Sequence, residues 1–350
     1  MWIIGCDLHT RYQQIAALDN TTGELVKRRL DHESDEVRKF YAALPPGSRV
    51  GVEATGHSQW FEQLLAECRH QLWVGDAAEI RASVVRQQKT DTRDAQHLLR
   101  LLVEGRFPRV WIPSVEERDV RQLLLHRSKL VGMRTMVRNQ LHAVAMNHGL
   151  RRRRKLWSGP GRQELDAVPL GRWGAERRKD LVALVEMLDA RITALNQQVA
   201  QEAARRPEVV RLMQQPGVGP VTALAFVLTL GPIDRFPRSK QVVSYLGLNP
   251  REFSSGGRQR LGAISKQGNT MMRWLLVEAA QTAARFDPEL HRTYAHLKHR
   301  RGLGIAKVAV ARKLAVRLYW MLRKPEVQAQ PVSTQSSPGT DMVEKISPNS

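Results

Sequence analysis

The sequence predicts an α/β domain built on a mixed sheet, followed by long helices and a mostly helical second half. Three observations carry that expectation. Strand and helix signals alternate over roughly the first hundred residues. After Pro113 the pattern changes to long stretches with apolar residues at helical spacing. Residues 208–324 stay helical except for one Gly/Ser-rich loop at 247–269. The expected boundaries are 1–113 for the α/β domain, 114–206 for a long-helix arm, 207–324 for a helical domain and 325–350 for a disordered tail.

Residues 2–7 (WIIGCD) are a short apolar run ending in an acid. Residues 12–18 and 24–30 flank the turn-rich stretch Asp19-Asn20-Thr21-Thr22-Gly23 and read as a hairpin. A helix over 33–43 stops at Pro45-Pro46-Gly47, and 49–53 (RVGVE) is a further strand ending in an acid. A helical pattern at 58–69, a strand at 71–75 and a helix at 92–104 complete the set. Three strands, helix, strand, helix, strand, helix describe a meander followed by crossover units, an order that matches the ribonuclease H-like fold. Ser114 with Glu117 three residues on is a capping box, opening a helix to about residue 148 with Leu123, Leu130, Val137, Leu141 and Val144 near one face. Gly159-Pro160-Gly161 and Pro169 mark a loop. A second long helix over about 176–204 carries Leu181, Leu184, Leu188, Ile192, Leu195 and Val199. Two such helices fit a coiled-coil arm and an ordinary bundle equally. The Pro, Ser, Gln and Thr of 325–350 show no periodicity.

Charge narrows the function classes. The 350 residues hold 55 Lys and Arg against 34 Asp and Glu, a net charge of +21. An excess that basic attracts a polyanion, nucleic acid first and an anionic membrane surface second. No apolar run reaches the ~18–20 residues that span a bilayer. The N-terminus lacks the basic segment and long apolar core of a signal peptide. Cys6 and Cys68 are too few for a disulfide framework or a Cys-rich zinc module. A cytoplasmic, nucleoid-associated protein is the expectation.

Four acids stand out by position: Asp7 ends the first strand, Glu53 ends the fourth, and Asp91 and Asp94 begin the helix after K-T-D-T-R-D. In the expected fold the first and fourth strands are neighbours, so Asp7 and Glu53 lie at one sheet edge. Residues three apart on a helix share a face, so Asp91 and Asp94 can join them. Carboxylates so crowded need cations, and oxygen ligation suits Mg²⁺ or Mn²⁺. Two such ions can stabilise the attacking and leaving oxygens of an in-line phosphoryl transfer. Taken alone, Asp91 is an ordinary helix-start residue, and Asp76 and Glu79 compete for a place in the set. His9 and His57 beside these motifs contact DNA, hold a carboxylate or are bland surface residues, the last being slightly the better reading.

Two stretches of the second half bear on phosphate binding. In P-G-V-G-P the glycines Gly217 and Gly219 free backbone amides at a helix start, the pattern of a helix-hairpin-helix clamp on a DNA backbone, although a tight turn between core helices reads the same way. The 247–273 stretch holds Ser254, Ser255, two adjacent glycines and the cations Arg251, Arg258, Arg260, Lys266 and Arg273. It reads either as a phosphate-binding loop or as the seat of a serine nucleophile. A serine needs activation to attack a phosphodiester, and no histidine lies in the loop to supply it. Arg151, Arg152, Arg153, Arg154 and Lys155 form a basic block suited to phosphates without sequence readout. His291, His296 and His299 read as a polar surface, and Trp60, Trp73, Trp111, Trp274 and Trp320 as core.

The combination resembles the DEDD insertion-sequence transposases, the Piv-like recombinases. D-L-H at 7–9, V-E-A-T-G at 52–56 and K-T-D-T-R-D at 89–94 are similar to that family's N-terminal motifs. P-G-V-G-P, Y-L-G-L-N-P-R and S-S-G-G-R…I-S-K-Q-G-N…R are similar to its C-terminal ones. The resemblance covers roughly residues 1–320. It implies a RuvC-like nuclease domain whose metal-binding tetrad falls on Asp7, Glu53, Asp91 and Asp94. It also implies a helical arm used in assembly and a serine that becomes covalently joined to DNA, at Ser255 with Ser254 as the competing register. Mg²⁺ dependence, donor and target DNA as substrates, a dimer or tetramer and, in some members, an element-encoded guide (bridge) RNA follow from the same resemblance. In those RNA-guided members one protomer supplies the acidic domain of an active site and another the serine domain. The expected reaction is metal-dependent strand cleavage and rejoining through a serine–DNA intermediate. A RuvC-type junction nuclease and a non-enzymatic bridging protein are the rivals.

Overall fold

The structure, a computed structural model, describes residues 1–84, 90–150 and 156–323. Lys89, the block at Arg151, Arg152, Arg153, Arg154 and Lys155, and the 325–350 segment lie outside the described residues. The chain divides into two compact units, Met1–Pro113 and Ser114–Ser350.

The first unit runs β1 (Trp2–Leu8), β2 (Tyr12–Asp19), β3 (Leu25–Asp31), α1 (Glu36–Ala42), β4 (Arg49–Glu53), α2 (Gln59–Glu67), β5 (Gln71–Gly75), α3 (Ala77–Ala82) and α4 (Asp91–Val103). Its sheet has the order β3-β2-β1-β4-β5. The β1–β2 and β2–β3 pairs are antiparallel, and β1–β4 and β4–β5 are parallel. This mixed sheet with helices is consistent with the ribonuclease H-like arrangement that the element order predicts.

Strand parity sorts the side chains. Ile4 and Cys6 of β1 join Val50, Val52, Tyr41 and Phe61 in one core. Ile3 faces the opposite way, towards Ala95, Leu98 and Leu102 of α4. Gly5 shares Ile3's face, and a Cβ there would lie 2.2 Å from the Ala95 carbonyl oxygen and 2.3 Å from the Leu99 nitrogen. The backbone of α4 therefore rests directly on β1, a contact only glycine permits. The helix α3 is an addition to the expected elements. Asp76 caps it, accepting the Ala78 and Glu79 amides at 2.8 and 3.1 Å. That capping role, rather than competition for the acidic set, explains Asp76.

The second unit runs α5 (Val115–Asn147), α6 (Gly159–Asp166), α7 (Arg172–Ala204), α8 (Pro207–Met213), α9 (Pro220–Leu230), a 3₁₀ turn at Ile233–Arg235, α10 (Ser239–Tyr245), β6 (Pro250–Glu252), β7 (Leu261–Ile264), α11 (Thr270–Phe286), α12 (Pro288–Arg301) and α13 (Leu303–Arg323). The capping box forms, with the Glu117 amide donating to Ser114 Oγ at 3.1 Å and the Ser114 amide to Glu117 Oε2 at 2.8 Å. Helices α5 and α7 pack antiparallel. Arg127 reaches Asn196, and Arg134 and Arg138 both reach Asp189 at 2.8 and 2.6 Å. At one end Val120, Leu124, Val199 and Ala203 join the main helical core around Phe226, Leu276 and Leu314. At the other, Val137, Leu141, Leu181, Val185 and Leu188 close on Leu165 of α6.

Two expectations are corrected here. The loop expected at Gly159-Pro160-Gly161 is the start of α6, with Ser158 as its cap. A proline fits the first helical turn, whose amides have no intrahelical partner to lose. The loop expected at 247–269 contains an antiparallel hairpin, β6–β7. Gly256 and Gly257 take φ of +56° and +75°, the two positive values that a type I′ hairpin turn requires.

Candidate active site

The acidic site follows from the packing of α4. Asp7 lies two residues beyond Gly5, so parity places it on the face that α4 covers. Thr90 caps α4, accepting the Arg93 amide, and Asp91 and Asp94 fall in its first turn. Acids there also suit the positive end of the helix dipole. Parallel pairing of Cys6 with Val52 puts Glu53 level with Asp7 at the ends of adjacent strands.

The side chains meet unequally. His9 Nε2 lies 3.1 Å from Asp7 Oδ2 and 3.7 Å from Asp91 Oδ2. Asp7, His9 and Asp91 each present a ligand atom within 4.8 Å of the others. Tyr12 donates its hydroxyl to Asp91 Oδ2 at 2.7 Å and stacks against His9, ring centroids 4.6 Å apart. Burial raises the pKa of Asp7, and the nearby Asp94 and Asp91 carboxylates raise it further, while His9 opposes them. The hydrogen bond to Asp91 raises that of the Tyr12 phenol. Glu53 instead accepts from Arg81 at 3.2 Å and stands outside the three-residue group.

Of the roles open to His9, the geometry matches that of holding a carboxylate, whereas Tyr12 carries no sequence signal of its contact with Asp91. The signal for His9 was its spacing: residues two apart in a strand share a face, so D-L-H presents Asp and His together. The donors fit a divalent cation, since two carboxylates and an imidazole converge where one carboxylate is already difficult to ionise.

The second unit presents the serine hairpin. Ser255 opens the turn, its carbonyl accepting the Arg258 amide at 3.1 Å. Ser254 donates to Glu252 Oε1 at 2.6 Å and accepts the Arg260 amide at 3.1 Å. Among the described residues no side-chain hydrogen bond engages Ser255. Arg258 and Arg260 are exposed, and Arg251 reaches back to the Ser265 carbonyl at 3.4 Å. Lys266 has a φ of +59°, beside the close approach of Gly247 and Gly268 to neighbouring backbone.

Arg273 and Gly217, both expected to face nucleic acid, are engaged within the fold. Arg273 is 9% exposed, its guanidinium donating to the Leu246 and Gln267 carbonyls and to Thr270 Oγ1, because it ties the hairpin base to α10 and α11. Gly217, at φ +85°, lies where a Cβ would be 2.6 Å from the Ala279 carbonyl oxygen, so its lack of a side chain admits α11. Gly219 is the exposed cap residue of α9.

Comparison with known proteins gives this arrangement its context. Residues 4–147 match the DEDD transposase family of IS110 type, and residues 209–295 match the transposase IS116/IS110/IS902 family. A Pseudomonas aeruginosa protein described as a probable family 20 transposase is 29% identical over 342 residues, 94% of this chain and 98% of the relative. The transposase for insertion sequence element IS1111A of Coxiella burnetii is 27% identical over 341 residues, 93% of this chain and 90% of the relative. The transposase for insertion sequence element IS1328 of Yersinia enterocolitica is 25% identical over 285 residues, 80% of this chain and 83% of the relative. An acidic cluster at a sheet edge, joined to these two domains in this order, defines a transposase, a DNA-cleaving enzyme. The chain carries the DEDD and C-terminal transposase domains of the IS110/IS116 type, at 4–147 and 209–295.

Proposed function

We propose that the chain cleaves and rejoins DNA strands through a covalent serine–DNA intermediate, with Ser255 as nucleophile. Its Oγ would lose its proton and form an ester to phosphorus as a phosphodiester P–O bond breaks, and the departing sugar oxygen would take up a proton in exchange. A sugar hydroxyl would later reverse the step and free the serine. The observation that carries the assignment is the hairpin turn: Ser255 stands at the tip with its hydroxyl unengaged, whereas Ser254 is bonded to Glu252 and the Arg260 amide. Arg258 and Arg260 flank the tip as phosphate holders.

Asp7 and Asp91, with Asp94 and Glu53 beside them, would hold Mg²⁺ or Mn²⁺, which supplies charge stabilisation for phosphoryl transfer. His9 orients the Asp7 and Asp91 carboxylates, and Tyr12 fixes Asp91. We further propose a homo-oligomer that buries one flank of the α5–α7 pair. Met133, Met136, Leu184 and Met187 are 40%, 58%, 42% and 55% exposed. Helical spacing puts all four on the flank opposite the Arg134–Asp189 contact. A guide RNA rests on the family resemblance alone, with which the net charge of +21 is compatible.

A covalent-trapping assay tests the reading. Protein, Mg²⁺ and DNA bearing the element's ends, with and without RNA from the flanking non-coding region, are run on a denaturing gel. An adduct lost with Ser255→Ala and kept with Ser254→Ala is the expected result. Cleaved DNA with no adduct in any lane would establish the second reading, hydrolysis by water as in RuvC-type nucleases. The acidic cluster favours that alternative to the extent that its carboxylates all come from the first unit.

A further inference from the structure

We propose that the groove between the β6–β7 hairpin and helices α12 and α13 seats an unpaired segment of a DNA strand. The proposal rests on the reading of the chain as a strand-rejoining enzyme and names the form of DNA its second unit holds. The groove encloses about 1040 Å³. That is just above the ~300–1,000 Å³ usual for clefts that enclose a small organic ligand, and so has room for nucleobases. Leu248, Ile264, Ile305 and Val308 are among the apolar residues lining it. Ile305 is 53% exposed, a branched apolar side chain left open to water.

Its rim is cationic and partly uncompensated. Lys313 and Arg317 pair with Glu289, and Arg317 also with Asp287. Arg301 and Arg312 have no carboxylate partner among the described residues. The surroundings extend the field: residues 251–317 hold fourteen Lys and Arg against four acids. The last turn of α12 alone carries Lys298, His299, Arg300 and Arg301. Such a field gathers a polyanion.

The apolar walls then select its form. An intact duplex presents sugars and phosphates outward, and its bases are hidden, so Leu, Ile and Val walls gain nothing from it. An unpaired strand exposes base faces that desolvate favourably against such walls, while its phosphates reach the arginines. The chemistry also favours DNA over RNA. Thr293 is the one uncharged side chain in the lining with a hydrogen-bonding group, and it is engaged, donating to the Glu289 carbonyl at 3.1 Å and accepting from Lys313 at 3.0 Å. No uncharged side chain is left to read a 2′-hydroxyl, and the cations Arg301 and Arg312 answer to phosphates. One wall of the groove is β7, a strand of the hairpin that carries Ser255 at its turn. A strand seated there is gripped by the same element that presents the serine.

The test is a binding titration of the full chain carrying Ser255→Ala, without divalent cation, so that strand chemistry cannot affect it. The probes are a 2-aminopurine-labelled single strand, the same sequence as duplex, and the same sequence as RNA. Seating the labelled base should change its emission. Ile305→Glu should weaken the single strand about tenfold, the equivalent of one base contact, and leave the duplex within about twofold. Arg301→Ala with Arg312→Ala should lower the salt slope for the single strand by about 1.4, two phosphates at ~0.7 each. Leu261→Gln, at a residue 56% exposed, is the second groove variant should Ile305→Glu fail to melt cooperatively. Equal losses for duplex and single strand would overturn the proposal in favour of bulk charge. Groove-dependent binding of RNA as tight as DNA would overturn the choice of strand. Unchanged nucleic-acid binding with altered mass by light scattering would reassign the groove to a protein partner. A negative trapping result with intact groove binding would sink the serine mechanism alone.

Discussion

Substituting Gly5 by alanine should disable the acidic site without touching an acid. A Cβ at Gly5 would lie 2.2 Å from the Ala95 carbonyl oxygen and 2.3 Å from the Leu99 nitrogen. Both are main-chain atoms of α4, so no side chain can swing aside. Restoring a contact of ~3.5 Å requires the helix to back away by about 1 Å. Overpacking of this kind costs about 1–3 kcal/mol, and a clash with two backbone atoms belongs at the upper end. The same displacement carries Asp91 away from Asp7 and His9, and a 1 Å misplacement of reacting groups lowers rate by about 10²-fold. Gly51→Ala is the control, because its Cβ would meet the Leu102 and Phe107 side chains at 2.7 and 3.0 Å, and these can move. Urea denaturation and Mg²⁺-dependent strand cleavage are the two readouts. Gly5→Ala should lose more of both than Gly51→Ala. A Gly5→Ala protein with unchanged midpoint and cleavage would refute the argument that glycine sets the site.

Three further outcomes are expected. Burial and the neighbouring acids raise the pKa of Asp7, so the folded state binds this proton more tightly than the unfolded chain, and Asp7's contribution to stability grows as pH falls through the raised value. The ionised carboxylate then opposes folding at neutral pH. Asp7→Asn should raise the metal-free thermal midpoint, on the order of 1–2 °C, while abolishing cleavage; a lower midpoint would contradict this. Arg273→Ala should cost about 3 kcal/mol in denaturant, since it leaves buried carbonyls without a donor, and a variant that weakened DNA binding at unchanged stability would restore a phosphate role. Met136→Glu with Met187→Glu should shift the sedimentation coefficient towards the monomer and leave helicity unchanged; an unaltered assembly would move the interface elsewhere.

The strand order and the approach of Asp7, Asp91 and Asp94 were legible because they follow from rules of period and pairing. Alternation in WIIGCD fixes which side chains share a face, and acids at a helix start announce its first turn. What the sequence hid depends on contacts between distant segments. Tyr12 reaches Asp91 across 79 residues, and no local pattern marks a tyrosine in a hairpin strand as a partner for a helix-start acid. Arg273 looked like one more cation of a basic loop because sequence shows charge and not direction. The hairpin at 250–264 was concealed by its own turn chemistry: Gly-Gly reads as flexibility unless the flanking strands are long, and β6 and β7 span three and four residues.

The position of His9 bears on how the acidic site exists without a cation. Asp7 is partly buried, and Asp91 and Asp94 crowd it, an arrangement that repels itself. His9 stands between two of the carboxylates, at 3.1 and 3.7 Å, and opposes the rise at Asp7. Tyr12 adds a neutral donor to Asp91, and the dipole of α4 adds a partial positive charge at the same place. These weak compensations accompany a group in which Asp7, His9 and Asp91 each bring a ligand atom within 4.8 Å of the others, and none is strong enough to replace an ion. Glu53, bonded to an Arg81 that is 76% exposed, is held by a solvent-screened pair worth about 1 kcal/mol or less, so little opposes its release to a cation. The site is therefore assembled by the fold and left short of positive charge, and that deficit is the physical reason a metal would bind there.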